Sequence, residues 1–231
     1  MCYQHCMISI VIPTLNAANH LPKVMNALVP GTICGLVKEL LVVDGGSTDI
    51  TTALTEAAGA ITILSEQGRG PQLAKGGQEA KADWLMFLHA DTILTDGWEK
   101  EVEEFINSGN KQKAAIFRFS LDDPRKRARI LEFIVKLRCI FFALPYGDQG
   151  ILISRQLYEE IGGFKPLVLM EDVDIVRRIG RSRLHYFQTK AITSADRYKR
   201  DGYLARVARN AKCLTLWFVG VSPEKILEKY Q

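Results

Sequence analysis

Four short apolar runs in the first half of the chain constrain its fold more than any other feature. ISIVI (Ile8–Ile12), ELLVVD (Glu39–Asp44), AITIL (Ala60–Leu64) and WLMFLH (Trp84–His89) are continuous rather than alternating. Strands look like this when helices cover both faces of a largely parallel sheet. Segments of helical character lie between them, over His20–Leu28, Asp49–Ala58 and Pro71–Ala80. The resulting βαβα order predicts an α/β chain with a central, mostly parallel sheet flanked by helices. Each run then gives way to polar or turn-forming residues: ISIVI to PTLN, LLVVD to GGSTD, LMFLH to AD. Ligands bind beyond the carboxyl ends of strands in such sheets, so Thr14, Asn16, Asp44, Ser47 and Asp91 are expected to converge on one edge. Each also has a local explanation: Pro13 and Asn16 shape turns, and Ser47 or Thr48 caps a helix starting near Asp49.

The second half is less regular. Ala114–Ser120 reads as a strand, Arg127–Leu144 as a helix, Gly150–Ser154 as a strand and Glu171–Gly180 as a helix, followed by a short strand over Leu184–Phe187 and a last helix over Tyr203–Val219. A chain of 231 residues without internal repeats or a low-complexity linker is expected to form one domain.

Charge divides the two halves. Residues 1–110 carry 6 Lys and Arg against 13 Asp and Glu, a net −7, and residues 111–231 carry 24 against 13, a net +11, which together give the overall +4. A clustered positive field raises the local concentration of anions, so a phosphorylated substrate or a membrane surface is the expected partner. No zinc-finger spacing or RNA-recognition signature appears, and nucleic acid is not expected. No run of about 18 apolar residues offers a membrane span. MCYQHCM has neither the basic stretch nor the apolar core of a secretory signal, and the five cysteines are scattered without a C-x-x-C pair, so a reducing cytoplasm is expected. Cys2, His5 and Cys6 are metal-ligand types, but at a chain terminus they are more often accidental.

Three motifs carry chemistry. In LVVDGGSTD, Asp44 ends a strand, Gly45 and Gly46 permit close approach, and the helix start after Ser47 offers unpaired amides to an anion. This is neither a G-x-G-x-x-G nor a Walker loop. In SEQGRGPQ a glycine-flanked Arg69 precedes a helix, and its guanidinium suits phosphate oxygens. In MEDVD, Glu171, Asp172 and Asp174 place three carboxylates within four residues, which is more than a helix start needs.

SIVIPTLN, VVDGGSTD, the GRG loop, the strand ending HAD and the later ED, in this order and spacing, resemble the family 2 glycosyltransferases of GT-A fold, a Rossmann-like nucleotide-diphospho-sugar transferase architecture. The likeness is closest to a short soluble bacterial subgroup reading LHADT, and it spans roughly Met7 to Arg200. It implies that residues up to about 110 form the donor half, about 111–200 the acceptor half, and about 201–231 C-terminal amphipathic helices. Pro13, Thr14, Asn16, Asp44, Gly45, Ser47 and Arg69 would line the nucleotide of a sugar-diphosphate donor, UDP by default and GDP as competitor. His89 and Asp91 would lie beside the diphosphate, with Asp91 matching the metal-holding aspartate of D-x-D and Mn²⁺ or Mg²⁺ as the cation. His89 stands where the first D-x-D aspartate usually stands, and a donor-site role without direct ligation is expected for it. Asp172, supported by Glu171, would be the general base of an inverting transfer. Asp148 and Gln149 of GDQG, with Asp174, would lie on the acceptor side. No Q-x-x-R-W motif appears; Arg197 and Arg200 would supply comparable phosphate contacts.

The acceptor is not legible. A helix over Tyr203–Val219 carries Leu204, Val207, Ala208, Ala211, Leu214, Thr215 and Phe218 on one stripe, with Arg206, Arg209 and Asn210 displaced from it. Such a stripe more often packs on the sheet or in a homodimer than on a membrane; a lipid-linked acceptor and peripheral contact with the inner face of a membrane are the sharper expectation. Two other function classes are compatible with these motifs. A nucleotidyltransferase would share the α/β site, but PTLNAANHLPK is not its Gly-rich opening loop; a non-catalytic sugar-nucleotide binder would bind donor without transfer.

Overall fold

A computed structural model describes residues 7–230. The Cys2, His5 and Cys6 grouping lies outside the described residues. The chain begins with β1 (Ile8–Thr14), α1 (Leu21–Ile33), β2 (Val37–Asp44), α2 (Thr51–Ala57), β3 (Ile61–Leu64), α3 (Arg69–Glu79), β4 (Trp84–Phe87), β5 (Thr92–Leu94) and α4 (Trp98–Asn107). There follow β6 (Ala114–Leu121), α5 (Lys126–Phe142), β7 (Ile151–Ser154), α6 (Arg155–Glu160), α7 (Glu171–Ile179), β8 (Leu184–Thr193), α8 (Asp196–Asp201), α9 (Tyr203–Phe218) and α10 (Pro223–Tyr230).

The strands form one sheet in the order β3-β2-β1-β4-β7-β6-β8-β5. The first four are mutually parallel, as their apolar runs predict. Alternate residues of β1 explain the continuous pattern: Ile10 and Ile12 enter one buried cluster with Met86 and Trp98, while Val11 enters the other with Val43 and Leu85. Both faces are therefore covered. In the second half β7 runs antiparallel to β4 and to β6, β6 is parallel to β8, and β5 is antiparallel to β8.

This topology gathers distant segments on one edge. β2 and β4 flank β1 on opposite sides, so the chain reverses its direction of sheet building beside β1, the kind of switch point at which α/β sheets bind ligands. Because β7 is antiparallel to β4, with Phe87 opposite Ile151, the start of β7 meets the end of β4. Leu121 at the end of β6 pairs with Thr193 at the end of β8, and Thr193 pairs with Thr92 at the start of β5. The Thr92 and Thr193 hydroxyls lie 3.0 Å apart, and Thr193 Oγ1 donates to the Asp148 carbonyl at 3.0 Å. β4 and β5 are separated by four residues of chain yet stand fourth and last in the sheet order, so the sheet curls and brings its β5 edge back to the end of β4 at His89–Asp91.

Two parts of the sequence reading need correction. β8 continues to Thr193 rather than ending at Phe187, because Gln188 and Lys190 face outward while Phe187, Ala191 and Thr193 are buried. Its second half alternates and escapes a search for apolar runs. α4, like the short β5, α6 and α8, has no counterpart in that reading, although Trp98, Val102, Phe105 and Ile106 supply a buried face at helical spacing.

Candidate active site

The loop after β2 is built around a saturated carboxylate. Asp44 Oδ1 accepts from the hydroxyls of Thr14 (3.0 Å) and Ser47 (2.5 Å), and Oδ2 accepts from the amides of Gly46 (3.0 Å) and Ser47 (2.7 Å). Burial pushes Asp44 up, but these donors, led by Ser47, outweigh it and hold the carboxyl below its ordinary value. The Asn16 amide donates to Ser47 Oγ at 2.8 Å, and Asn16 Oδ1 accepts from the Thr48 amide at 2.9 Å. Pro13 is buried in β1 opposite Val43, and the Gly45 amide donates to the Thr14 carbonyl. α2 starts at Thr51, and Asp49, not Ser47 or Thr48, accepts the Thr51 amide at 3.0 Å. Gln72 of α3, which sequence reading passed over, donates to the carbonyls of Thr14 and Val43, both at 2.7 Å, and so joins the ends of β1 and β2.

A second group surrounds a cleft at the same sheet edge. Arg69, His89, Asp91, Asp148, Asp172 and Arg197, all anticipated, line it together with Tyr146, Ser194, Tyr198 and Arg206. Its enclosed volume is about 130 Å³. Pockets that enclose a whole drug-sized ligand have roughly 300–1,000 Å³, so this cleft has room for only part of a ligand of that size. Two close approaches shape it. A Cβ on Gly70 would lie 2.2 Å from the Leu167 carbonyl oxygen, so this glycine lets the GRG turn pack against the segment leading into α7. A Cβ on Gly147 would lie 2.7 Å from His89 Nε2 and 3.4 Å from Asp172 Cβ, so Gly147 sits between these two side chains. Its amide donates to Asp172 Oδ2 at 2.8 Å. Met170, which also lines the cleft, takes a left-handed φ of 66°, uncommon for a residue with a side chain and concentrated at functional sites.

Electrostatics in this cleft are poorly balanced. Burial lowers His89 to about 4, with Arg69 adding to the effect and Asp91 opposing it, so the imidazole is neutral at neutral pH. Burial raises Asp148 to about 6; Arg138 counteracts this, and Asp172 and Asp91 reinforce it. Asp148 Oδ1 is buried without a hydrogen-bond partner. Three carboxylates, a neutral imidazole and three guanidiniums thus share a space where strongly shifted groups mark functional sites.

Several anticipated residues take other places. Glu171 is 1% exposed and its Oε1 lies 3.0 Å from Arg69 Nε, so it anchors the arginine instead of facing the cleft. Burial raises its pKa and Arg69 opposes the rise. Asp174 pairs with Arg178, one helical turn on, at 2.5 Å and with Lys165 at 3.4 Å, and it does not line the cleft. Gln149 is buried: its amide nitrogen donates to the Phe117 carbonyl at 3.1 Å and its oxygen accepts from the Tyr146 amide at 3.3 Å. It holds the Tyr146 turn. Arg200 pairs with Asp201 at 2.8 Å with its side chain 74% exposed, because α8 turns it outward; Arg206, pairing with the same Asp201 at 3.2 Å, reaches the cleft from α9. The α9 stripe is turned largely outward instead of onto the sheet, with Val207 packed against a buried cluster. Leu204 and Phe218 are exposed, whereas Arg206 and Cys213 are buried and line the cleft with Asn210.

Tyr146, Ser194, Tyr198 and Arg206 were missed as site residues. Tyr146 had a signal, standing two residues before Asp148, and Arg138 stacks over its ring at 3.4 Å. Tyr198 shared the signal of its neighbour Arg197; Ser194, just after β8, and Arg206 of α9 had none, because only the curl of the sheet brings them in.

The chain is 34% identical over 95 residues to glucosyl-3-phosphoglycerate synthase of Mycolicibacterium paratuberculosis, covering 37% of this chain and 29% of that protein. It is 39% identical over 95 residues to a PGL/p-HBAD biosynthesis glycosyltransferase of Mycobacterium bovis, covering 38% of this chain and 36% of that protein. The chain thus matches about a third of the length of these relatives. Among solved structures, S. aureus TarS superposes with a TM-score of 0.62 at 17% identity, over 88% of this chain and 39% of that one. The glucosyl-3-phosphoglycerate synthase of Mycobacterium tuberculosis, solved with Mn²⁺, UDP and glucosyl-3-phosphoglycerate, superposes with a TM-score of 0.56 at 21% identity, over 81% of this chain and 70% of that one. The fold is therefore that of the GT-A glycosyltransferases, as the strand order and motifs predict. Residues 9–165, more than half of the sequence and covering β1 from its second residue through β7, match Glycosyl transferase family 2, and the chain belongs to that family.

Proposed function

We propose that this protein transfers a sugar from a nucleoside-diphosphate sugar to an acceptor hydroxyl, with inversion at the anomeric carbon. The observation that carries this reading is the convergence of Asp91, His89, Asp148 and Asp172 with Arg69 and Arg197 in one cleft at the sheet's switch point. The loops after β1 and β2 receive the nucleotide, with UDP favoured by the solved relative that holds UDP. Arg69, held by Glu171, and Arg197 meet the diphosphate charge, for which planar guanidiniums are well suited.

The cleft fits a divalent cation. It offers carboxylate oxygens, including the unpartnered Asp148 Oδ1, and a neutral imidazole. No three His, Cys, Asp or Glu side chains among the described residues form a metal site by themselves. Asp91 would hold the cation together with phosphate oxygens, and Mn²⁺ or Mg²⁺ bound there would stabilise the charge of the departing nucleoside diphosphate. Asp172 accepts the proton of the acceptor hydroxyl while that oxygen bonds to the anomeric carbon. The bond from that carbon to the phosphate oxygen breaks on the opposite side, and the electron pair leaves with the diphosphate. Its hydrogen bond from the Gly147 amide orients the carboxylate for this role.

A thermal-shift screen of UDP, GDP and their sugar conjugates with Mn²⁺, Mg²⁺ or EDTA tests the reading. A metal-dependent rise with one nucleotide, lost in Asp91→Asn, is expected; a ligand at a hundredfold excess over its Kd stabilises by about 2.7 kcal/mol. A folded protein that no nucleotide shifts would refute it. Donor binding without transfer or donor hydrolysis would instead favour a non-catalytic sugar-nucleotide binder.

A further inference from the structure

α5 is apolar on both sides. Ala128, Leu131, Val135 and Cys139 form its buried stripe. At 3.6 residues per turn, Ile130, Phe133, Ile134, Leu137, Ile140 and Phe141 fall in a sector of about 120° on the opposite side. Ile130, Phe133 and Phe141 are 61%, 60% and 63% exposed. A helix apolar all round is ordinarily buried on all sides, so this outward stripe requires a partner.

The charges around the stripe identify that partner. Exposed Arg129 and Lys136 lie on one flank, exposed Arg127 on the other, and exposed Lys126 stands at the start of the stripe itself. The helix has one acid, Glu132, and it pairs with Arg129 at 2.9 Å. Along the same flank runs a cleft of about 530 Å³ between α5, β6 and β8, where Phe133 and Ile140 meet Arg118, Lys136 and Lys190. A second copy packed on this stripe would set cation against cation. An anionic lipid surface satisfies both features: the apolar stripe enters the acyl boundary and the flanking cations meet phosphate headgroups. No helix among the described residues is long and apolar enough to cross a membrane, so α5 would lie along the surface.

We propose that the outward face of α5, with its flanking cations, docks this protein onto an anionic phospholipid bilayer. The docked helix leads directly to Tyr146, whose ring lines the active-site cleft under Arg138. The cleft is thereby held close to the lipid surface, where a membrane-resident acceptor hydroxyl reaches it. The docking itself does not depend on the glycosyl-transfer reading.

Co-sedimentation with phosphatidylcholine vesicles, with and without phosphatidylglycerol, tests the proposal. The intact protein is expected to pellet with the anionic vesicles at low salt, to be released at high salt, and to ignore pure phosphatidylcholine. Ile130→Ser/Phe133→Ser and, separately, Lys126→Glu/Lys136→Glu should each weaken partitioning at least about tenfold, from lost insertion and from lost headgroup attraction. All four side chains are exposed, so thermal midpoints and nucleotide-induced thermal shifts should be unchanged, which separates failure of docking from failure of the donor site. The proposal is overturned if anionic vesicles leave the protein in solution at low salt. It is equally overturned if both double variants still pellet, or if the serine variant turns a dimer in gel filtration into a monomer.

Discussion

Two carboxylate clusters stand at the same sheet edge under opposite electrostatic conditions. Around Asp44, four donors from Thr14, Gly46 and Ser47 fill both oxygens, and the carboxyl is held below its ordinary value. Around Asp148, burial comes without a partner for Oδ1, Asp91 and Asp172 add like charge, and the carboxyl is raised to about 6. The first arrangement holds a loop; the second leaves capacity for something brought from outside. Buried polar groups are normally satisfied internally, so the unpartnered Asp148 Oδ1 makes this cleft the candidate for ligand chemistry. The DGGSTD loop uses its carboxylate to maintain the form in which, on the proposed reading, it receives the nucleotide.

The largest test of this contrast is Asp172→Asn. Sugar transfer should fall by about a hundredfold or more with little change in thermal midpoint, because general-base catalysis contributes on that scale. A folded variant with near-normal turnover would remove Asp172 from the chemistry. The reverse pattern is expected of Asp44→Ala. It strands four donors and should destabilise by about 2–4 kcal/mol, read in denaturant unfolding, since single hydrogen bonds to charged groups contribute about 1.5–3 kcal/mol.

pH separates the clusters further. Asp44 is lowered on folding, so its contribution is present above its ordinary pKa and lost as pH falls through the lower folded value. Asp148 is raised from 3.8 to about 6, so the native state favours its protonated form: that contribution is full below about 4 and lost as pH rises through about 6. Asp148→Asn should therefore raise the thermal midpoint at pH 7.5 and leave it unchanged near pH 3.5, whereas Asp44→Asn should lower it most at neutral pH. A parallel effect of the two substitutions would break the comparison. The smallest effects separate two arginines from one basic segment. Arg197→Ala should weaken donor binding about tenfold, on the order of 1.4 kcal/mol. Arg200→Ala, at an exposed site, should change neither binding nor stability by more than about 0.5 kcal/mol.

Local chemistry made much of this protein legible in advance. The buried strands β1, β2 and β4 required continuous apolar runs, and the residues ending them required the carboxyl edge, because an α/β sheet leaves charge no other place. Asp91, Asp172, Asp148 and Arg69 were found in this way or through family likeness, and the structure brings them to one cleft. Side-chain direction was not legible. Glu171 and Asp172 are neighbours, yet a helix turns successive residues by about 100°, so one meets Arg69 in the interior and the other faces the cleft. Arg197 and Arg200 are likewise parted by the rotation of α8. Sequence by itself determined the parallel half of the sheet and the polar residues that end its strands, because both follow from burial along a local segment. Only the tertiary structure decided that β8, α8 and α9 close the cleft with Ser194, Tyr198 and Arg206, and that α5 and α9 turn apolar stripes outward. Those outcomes depend on how a curled sheet joins segments about a hundred residues apart, an arrangement fixed by the total packing of the chain and by no local pattern.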